Sequence, residues 1–182
     1  MNLKKKEKTV LVIIDVQEKL FPFIENKERL QGNLKRIILG AQKLNIPILV
    51  TEQYTKGLGK TIPELQEVLV QYNPIEKISF SCCREENFNK ELAALKRNQV
   101  LICGIESHIC VYQTCRDLDN NGYYVHLMTD CIGSRNNENK KLAIDKLQHE
   151  NNIFLTGYEM ALFEIMKTAD IEEFKEISKI LR

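Results

Sequence analysis

The most constraining feature of this sequence is a regular alternation of short apolar runs and longer segments with helical periodicity. The first run, Thr9–Ile14, is continuous and rich in β-branched residues, which is typical of a strand buried on both faces. Apolar residues then recur at helical spacing, as at Leu30, Leu34 and Ile37. Strands that alternate with helices in this way predict right-handed β-α-β units and a parallel sheet covered on both faces.

The same pattern continues to the end of the chain, without a repeat or a linker. The predicted strands are Thr9–Ile14, Ile48–Thr51, Ile75–Phe80, Gln99–Cys103, Tyr124–Thr129 and Ile153–Thr156. The predicted helices are 30–44, a short one from Pro63, Phe88–Leu95, Ser107–Asn121, Lys140–Gln148 and two pieces after Tyr158. A length of 182 residues fits one domain of ordinary size, so we predict a single α/β domain over residues 1–182.

Composition narrows the possible partners. With 26 Lys and Arg against 25 Asp and Glu, the formal net charge is +1, which does not indicate binding to nucleic acid or to an acidic membrane. The lysines at positions 4, 5, 6 and 8 predict a solvated tail. The sequence shows no secretory signal, no membrane-spanning run and no CxxC pair among its six cysteines. We therefore expect reduced cysteines in a cytoplasmic protein, and no structural zinc.

The ends of the predicted strands are where a parallel sheet of this kind binds its ligands. Asp15 comes directly after the first strand, where its carboxylate is costly to bury without a partner. A turn-forming or helix-capping aspartate is the alternative. Glu52, Lys77 and Asp130 occupy similar positions after later strands. Chemistry at this edge would therefore use side chains that are far apart in the sequence.

Cys110 is the candidate nucleophile. Gly104 permits a sharp turn after the fourth strand, and Ser107 is a good N-cap, so Cys110 falls in the first turn of the next helix. The helix dipole there favours a thiolate, and free N–H groups can hold an oxyanion. The alternative is a small buried apolar residue, as we predict for Cys103 and Cys131.

Lys77 lies in a segment that otherwise reads as apolar, so its ammonium should seek a carboxylate, with Asp15 as a plausible partner. An acid, a cation and a thiol at three strand ends could cooperate, although the sequence alone does not bring them together. His108 is two residues before Cys110, so in a helical turn the two side chains point apart. We predict structural or solvated roles for all three histidines.

Several segments become recognisable when they are taken in order. They are Ile13–Gln17, Glu76-Lys77 with Phe80-Ser81, Gly104–Val111, Asp130-Cys131 with Ser134-Arg135, and the run Thr51–Tyr54 with Gly57–Gly59 and Ile62–Leu65. On these residues the chain resembles the isochorismatase-like hydrolase superfamily over nearly its whole length. The last run resembles one subgroup, the isochorismatase domain-containing proteins.

The resemblance implies a three-layer α/β/α, Rossmann-like fold with a six-stranded parallel sheet. It implies a catalytic triad, which falls on Asp15, Lys77 and Cys110. It also implies a non-proline cis peptide between Ile105 and Glu106, which would aim the Glu106 N–H, beside that of Cys110, at one oxyanion. Members of the family usually form homo-oligomers, so we expect one here.

Two differences from characterised members of the superfamily narrow the range of possible substrates. Nicotinamidases of the superfamily carry an Asp-x-His metal motif after the second strand, whereas Glu52-Gln53-Tyr54 stands at that place. We therefore predict no metal, no cofactor and no nicotinamidase role. Isochorismate hydrolases act on a vinyl ether without the cysteine, so Cys110 argues against that activity as well.

We predict a cysteine hydrolase that acts on a small amide or a related acyl or C–N compound through a thioester. Gln17, Phe21 and Tyr54 are expected to line its pocket. One alternative is a non-catalytic binding or scaffold protein that keeps the fold. A second is a ribonuclease, for which the sequence offers no basic stripe or RNA-stacking motif. The tail helices 160–166 and 171–181 are candidates for the interface of an oligomer, or for packing on their own sheet.

Overall fold

A six-stranded sheet forms the centre of the molecule in the computed structural model, which describes residues 6–182. Its strands are β1 (Thr9–Ile14), β2 (Ile48–Gln53), β3 (Ile75–Lys77), β4 (Gln99–Ile105), β5 (Tyr124–Gly133) and β6 (Ile153–Thr156). Their spatial order is β3-β2-β1-β4-β5-β6, and every neighbouring pair is parallel. The predicted fold class is thereby confirmed. Lys4 and Lys5 of the lysine run lie outside the described residues.

Helices cover both faces of this sheet. They are α1 (Lys27–Lys43), α2 (Thr55–Leu58), α3 (Pro63–Gln66), α4 (Glu86–Ala94), α5 (Tyr112–Asn120), α6 (Asn137–Leu147), α7 (Tyr158–Met166) and α8 (Phe174–Leu181). Apolar side chains of α1, α7 and α8 pack on one face, and those of α4, α5 and α6 pack on the other. The three layers that the resemblance implied are therefore present.

Strand β1 shows why the sheet is buried on both sides. All six of its residues are buried. Leu11 and Ile13 belong to the core under α1, whereas Val10, Val12 and Ile14 belong to the core under α4 and α5. Because alternate side chains of a strand point to opposite faces, a continuous apolar run is what a doubly covered strand requires.

Several predicted bounds differ from the structure, as for β5, which runs to Gly133 and not to Thr129. Two of the differences bear on the site. The predicted third strand, Ile75–Phe80, ends at Lys77, because the chain beyond it turns back around the lysine ammonium. The predicted helix Ser107–Asn121 begins with a π-helical turn, Ser107–Val111, before α5. Ser107 is not the side-chain cap that we expected, since its hydroxyl donates to the carbonyl of Gly133 at 2.9 Å.

The tail helices pack on their own sheet. Leu162 and Ile165 of α7 and Ile177 of α8 are buried in the core under α1. An oligomer interface on these helices therefore stays a prediction. Among the helices of residues 6–182, none combines the length and the apolar character that crossing a membrane requires.

Candidate active site

Asp15, Lys77 and Cys110 come together at the carboxyl edge of the sheet, where the strand order reverses between β1 and β4. Asp15 follows β1, Cys110 follows β4, and Lys77 is the last residue of β3. Ligand crevices of doubly wound sheets lie at such a reversal.

The Asp15 carboxylate is completely buried, and its three neighbours are all polar. Its Oδ2 lies 2.6 Å from Lys77 Nζ, and its Oδ1 accepts a hydrogen bond of 2.7 Å from the Thr51 hydroxyl. Its third neighbour is the Cys110 thiol, which is close enough for each group to shift the pKa of the other. Burial raises the pKa of Asp15, and the charge of Lys77 opposes that rise. The residue has a φ of 52°, a left-handed conformation that aspartate tolerates better than most side chains.

The Lys77 ammonium is almost wholly inaccessible, with a side-chain exposure of 1%. Besides Asp15 it donates to Gln53 Oε1 at 2.6 Å and to the carbonyls of Ser79 and Phe80, each at 3.1 Å. Burial is the largest influence and lowers the pKa of Lys77, but the charge and hydrogen bond of Asp15, together with smaller contributions from Cys82 and Cys110, outweigh it, so that the net shift is upward. The lysine therefore stays charged and has no N–H left over for a substrate.

Cys110 is 6% exposed and lies in the π-helical turn. We expected the helix terminus to favour its thiolate. In the structure burial raises the pKa of Cys110, the charge of Asp15 raises it further, and Lys77 only partly opposes both. The resting nucleophile is therefore a neutral thiol beside Asp15.

The turn that carries Cys110 begins at a close approach of two strands. A side chain at Gly104 would place its Cβ 2.1 Å from the Ile14 carbonyl oxygen, and the φ there is 119°. The peptide bond between Ile105 and Glu106 is cis. The N–H groups of Ile109 and Val111 both donate to the Glu106 carbonyl.

Three consecutive residues of this turn are tied to the loop that follows β5. The ties are Ser107 to the Gly133 carbonyl at 2.9 Å, His108 to the Ser134 hydroxyl at 3.0 Å, and Glu106 to the guanidinium and N–H of Arg135 at 3.0 Å. They hold the turn in place against the neighbouring strand. Both ring nitrogens of His108 have neighbours in this loop and α6, as the predicted structural or solvated role would allow.

The three predicted pocket residues lie in different environments. Tyr54 is half-exposed and lines a cavity of about 390 Å³ that reaches Lys77. Gln17 is inaccessible, because its amide donates to the carbonyls of Gln53 and Gly59 and accepts from the Gln53 N–H. Phe21 is 7% exposed and belongs to the apolar core. The Gln17 amide is thus committed to the backbone, and a pocket role of Phe21 stays a prediction.

Glu52 occupies the place of the nicotinamidase metal motif. Its Oε1 accepts from the Thr61 N–H at 2.7 Å, from the Thr61 hydroxyl at 2.9 Å and from the Tyr72 hydroxyl. Within residues 6–182 no group of three or more His, Cys, Asp and Glu side chains has the arrangement of a metal site. All six cysteines are free thiols, as predicted.

Two buried polar residues of this site escaped the sequence analysis. Thr51 donates to Asp15, and Gln53 accepts from Lys77. The signal that could have found them is the polar run Thr51-Glu52-Gln53, which ends a strand whose side chains should be buried.

Comparison with known proteins identifies the class to which this fold and site belong. The family model described as the isochorismatase domain matches residues 9–159. The chain is therefore a member of the isochorismatase family.

Curated relatives agree with the narrower subgroup. Isochorismatase domain-containing protein 2 of Danio rerio is 35% identical over 173 residues, which cover 95% of this chain and 86% of the relative. The secreted isochorismatase effector Isc1 of Phytophthora sojae is 32% identical over 178 residues, covering 96% and 84%. Among solved structures, the MAR1 ribonuclease of Caenorhabditis elegans has a TM-score of 0.91 at 34% identity and covers 97% of this chain and 91% of that one.

Proposed function

We propose that this protein is a cysteine hydrolase of a small amide or related acyl compound, with Asp15, Lys77 and Cys110 as its catalytic group. The observation that carries the proposal is that Cys110, Asp15 and Lys77 are buried next to one another at the ends of their strands, with every N–H of the Lys77 ammonium already hydrogen-bonded. A thiol placed against a base that is itself oriented by a third group is the arrangement of an activated nucleophile.

The neutral thiol sets the first step. Asp15, whose pKa is raised by burial, takes the proton of Cys110 as the sulfur attacks the carbonyl carbon of the substrate. The C–N bond then breaks, and the amine leaves with the proton that Asp15 returns. Water, deprotonated by the same carboxylate, attacks the thioester and releases the acid and the thiol.

The N–H groups of Glu106 and Cys110 are proposed to bind the oxyanion. Cys110 lies in the first turn of its helix, where N–H groups ordinarily lack an intrahelical acceptor. The ties from Ser107 and Glu106 to the loop after β5 fix this turn in advance, which is what electrostatic stabilisation of a transition state requires.

Ammonia release from a panel of small primary amides and N-carbamoyl compounds tests the proposal, together with the mass of the Cys110 peptide after an acid quench. We expect an acyl adduct on Cys110 and no turnover in Cys110→Ala. Cys83→Ala is the matched control, since Cys83 is a free thiol outside the catalytic group. Undiminished turnover in Cys110→Ala would reject the mechanism.

A ribonuclease is the second candidate, because the Caenorhabditis elegans relative carries that name. The net charge of +1 gives RNA little long-range attraction. Cleavage of a labelled RNA that persists in Cys110→Ala and weakens with added salt would favour this candidate over the hydrolase.

The assembly and the cellular location also belong to the proposal. We propose a homo-oligomer, to be measured as a mass in solution by light scattering. The cytoplasmic location stays a prediction, because a relative from Phytophthora sojae is described as secreted.

A further inference from the structure

We infer that Gln53 is a positioning residue that holds the Lys77 ammonium on Asp15 and keeps Asp15 its only buried counter-ion. The inference rests on the proposed function, but its evidence is separate. It concerns the strand that lies between the acid and the lysine.

The topology makes such a residue necessary. Lys77 is on β3 and Asp15 follows β1, so the lysine side chain must cross the end of β2 to reach the carboxylate. Gln53 is the β2 residue paired with Lys77 in the parallel register. The side-chain oxygen of Gln53 accepts a hydrogen bond of 2.6 Å from the Lys77 ammonium.

The orientation of the Gln53 amide is fixed from the other side. Its Nε2 donates to the Ile78 carbonyl at 2.5 Å, so its oxygen must face Lys77. Gln17 binds both the N–H and the carbonyl of the Gln53 backbone, at 2.7 and 2.9 Å. A buried side chain with every polar atom used holds one rotamer, and through it Lys77 holds one position.

The neutrality of Gln53 matters as much as its position. A buried ammonium needs several acceptors, and the ones it has are the Gln53 oxygen, two backbone carbonyls and a single carboxylate. A second carboxylate at position 53 would compete with Asp15 for Lys77. Its charge would also disfavour the Cys110 thiolate, because a nearby negative charge raises the pKa of a thiol.

The test is the rate of Cys110 alkylation by iodoacetamide as a function of pH, resolved by peptide mass spectrometry in the full-length protein. We expect the midpoint of Gln53→Glu to lie about one pH unit above that of the wild type, which is about a tenfold lower rate below the midpoint. Gln53→Met loses the acceptor without adding a charge. It should shift the midpoint in the same direction by less, since the displaced ammonium no longer lowers the pKa of Cys110.

Glu52→Gln is the matched control on the same strand, because Glu52 contacts Thr61 and Tyr72 but not Lys77. Its midpoint should equal that of the wild type. Unchanged midpoints in both Gln53 variants would overturn the inference. Equal acceleration of Cys83 and Cys110 would also overturn it, since Gln53 would then only hold the fold. The alkylation assay needs no substrate, so a failed search for hydrolysis would count against the proposed function and leave this test intact.

Discussion

Asp15 and Glu52 stand at the ends of neighbouring strands, and both carboxylates are buried, at 0% and 3% exposure. Glu52 is surrounded by neutral donors, the Thr61 N–H and the hydroxyls of Thr61 and Tyr72. Asp15 instead meets an ammonium and a thiol. Hydrogen bonds alone satisfy a buried carboxylate, but only a partner with a transferable proton makes it a general base.

The largest contrast is expected in catalysis. Asp15→Asn should lower hydrolysis by about 100-fold or more, because the proton acceptor is lost. The same variant should alkylate Cys110 faster at about pH 6, since the charge of Asp15 raises the pKa of that thiol and Lys77 remains. Glu52→Gln should leave both rates close to the wild type. Turnover of Asp15→Asn close to that of the wild type would contradict this assignment of the base.

The next contrast concerns stability, because Asp15 has a charged partner and Glu52 has only neutral donors. Lys77→Met leaves the Asp15 charge buried without a cation, which should lower the free energy of unfolding by about 3–5 kcal/mol. The double variant Asp15→Asn/Lys77→Met should regain much of that loss, because neither charge remains. Urea unfolding measures both. A double variant as unstable as the sum of its single variants would show that the pair does not act as a unit.

His126 extends the comparison to a buried group whose Nε2 finds no hydrogen-bond partner among residues 6–182. Burial lowers the pKa of His126 from 6.5 to about 4. Between these values the unfolded chain binds more protons than the folded one, so stability falls as the pH falls, by about 3 kcal/mol in all. The raised pKa of Asp15 acts with the opposite sign, since the folded state then holds the extra proton. Urea unfolding from pH 7 to pH 4 should show a shallower loss in His126→Leu, and an unchanged slope would refute this reading.

The smallest effect is expected at the neutral donors of Glu52. Tyr72→Phe removes one hydroxyl and should cost about 1 kcal/mol of stability with no change in turnover. Burial, with the Glu52 carboxylate next to the hydroxyl, raises the pKa of Tyr72 to about 12. Glu52→Gln should therefore bring the ultraviolet titration of Tyr72 to lower pH. An unchanged titration midpoint would mean that the Glu52 charge does not raise the pKa of Tyr72.

Local sequence determined much of the fold. Strand β1 was predicted at its observed bounds, because a continuous run of β-branched residues is typical of a strand that is buried on both faces. Strand β3 was predicted too long, because Ile78 and Phe80 are apolar and yet exposed. The chain leaves the sheet after Lys77 to bring two carbonyls to the ammonium, and no local pattern encodes that turn.

In the candidate site, too, local sequence predicted some features and not others. The positions of Asp15, Lys77 and Cys110 at strand ends followed from alternation and length, but their meeting required the order of the strands. The expected thiolate was wrong in direction because helix position is visible in sequence and burial is not. Gln17 looked like a pocket residue by its place after Asp15, although its amide is used by the backbone of β2 and of Gly59.

Gly104 carries a consequence for how this protein tolerates mutation. Even an alanine there would press a methyl group against the Ile14 carbonyl and move β4 away from β1, at the point from which the Cys110 turn starts. In a library randomised at every codon, position 104 should accept as few replacements as the nucleophile itself. The distance between Asp15 and Cys110 thus depends on the absence of a side chain at Gly104.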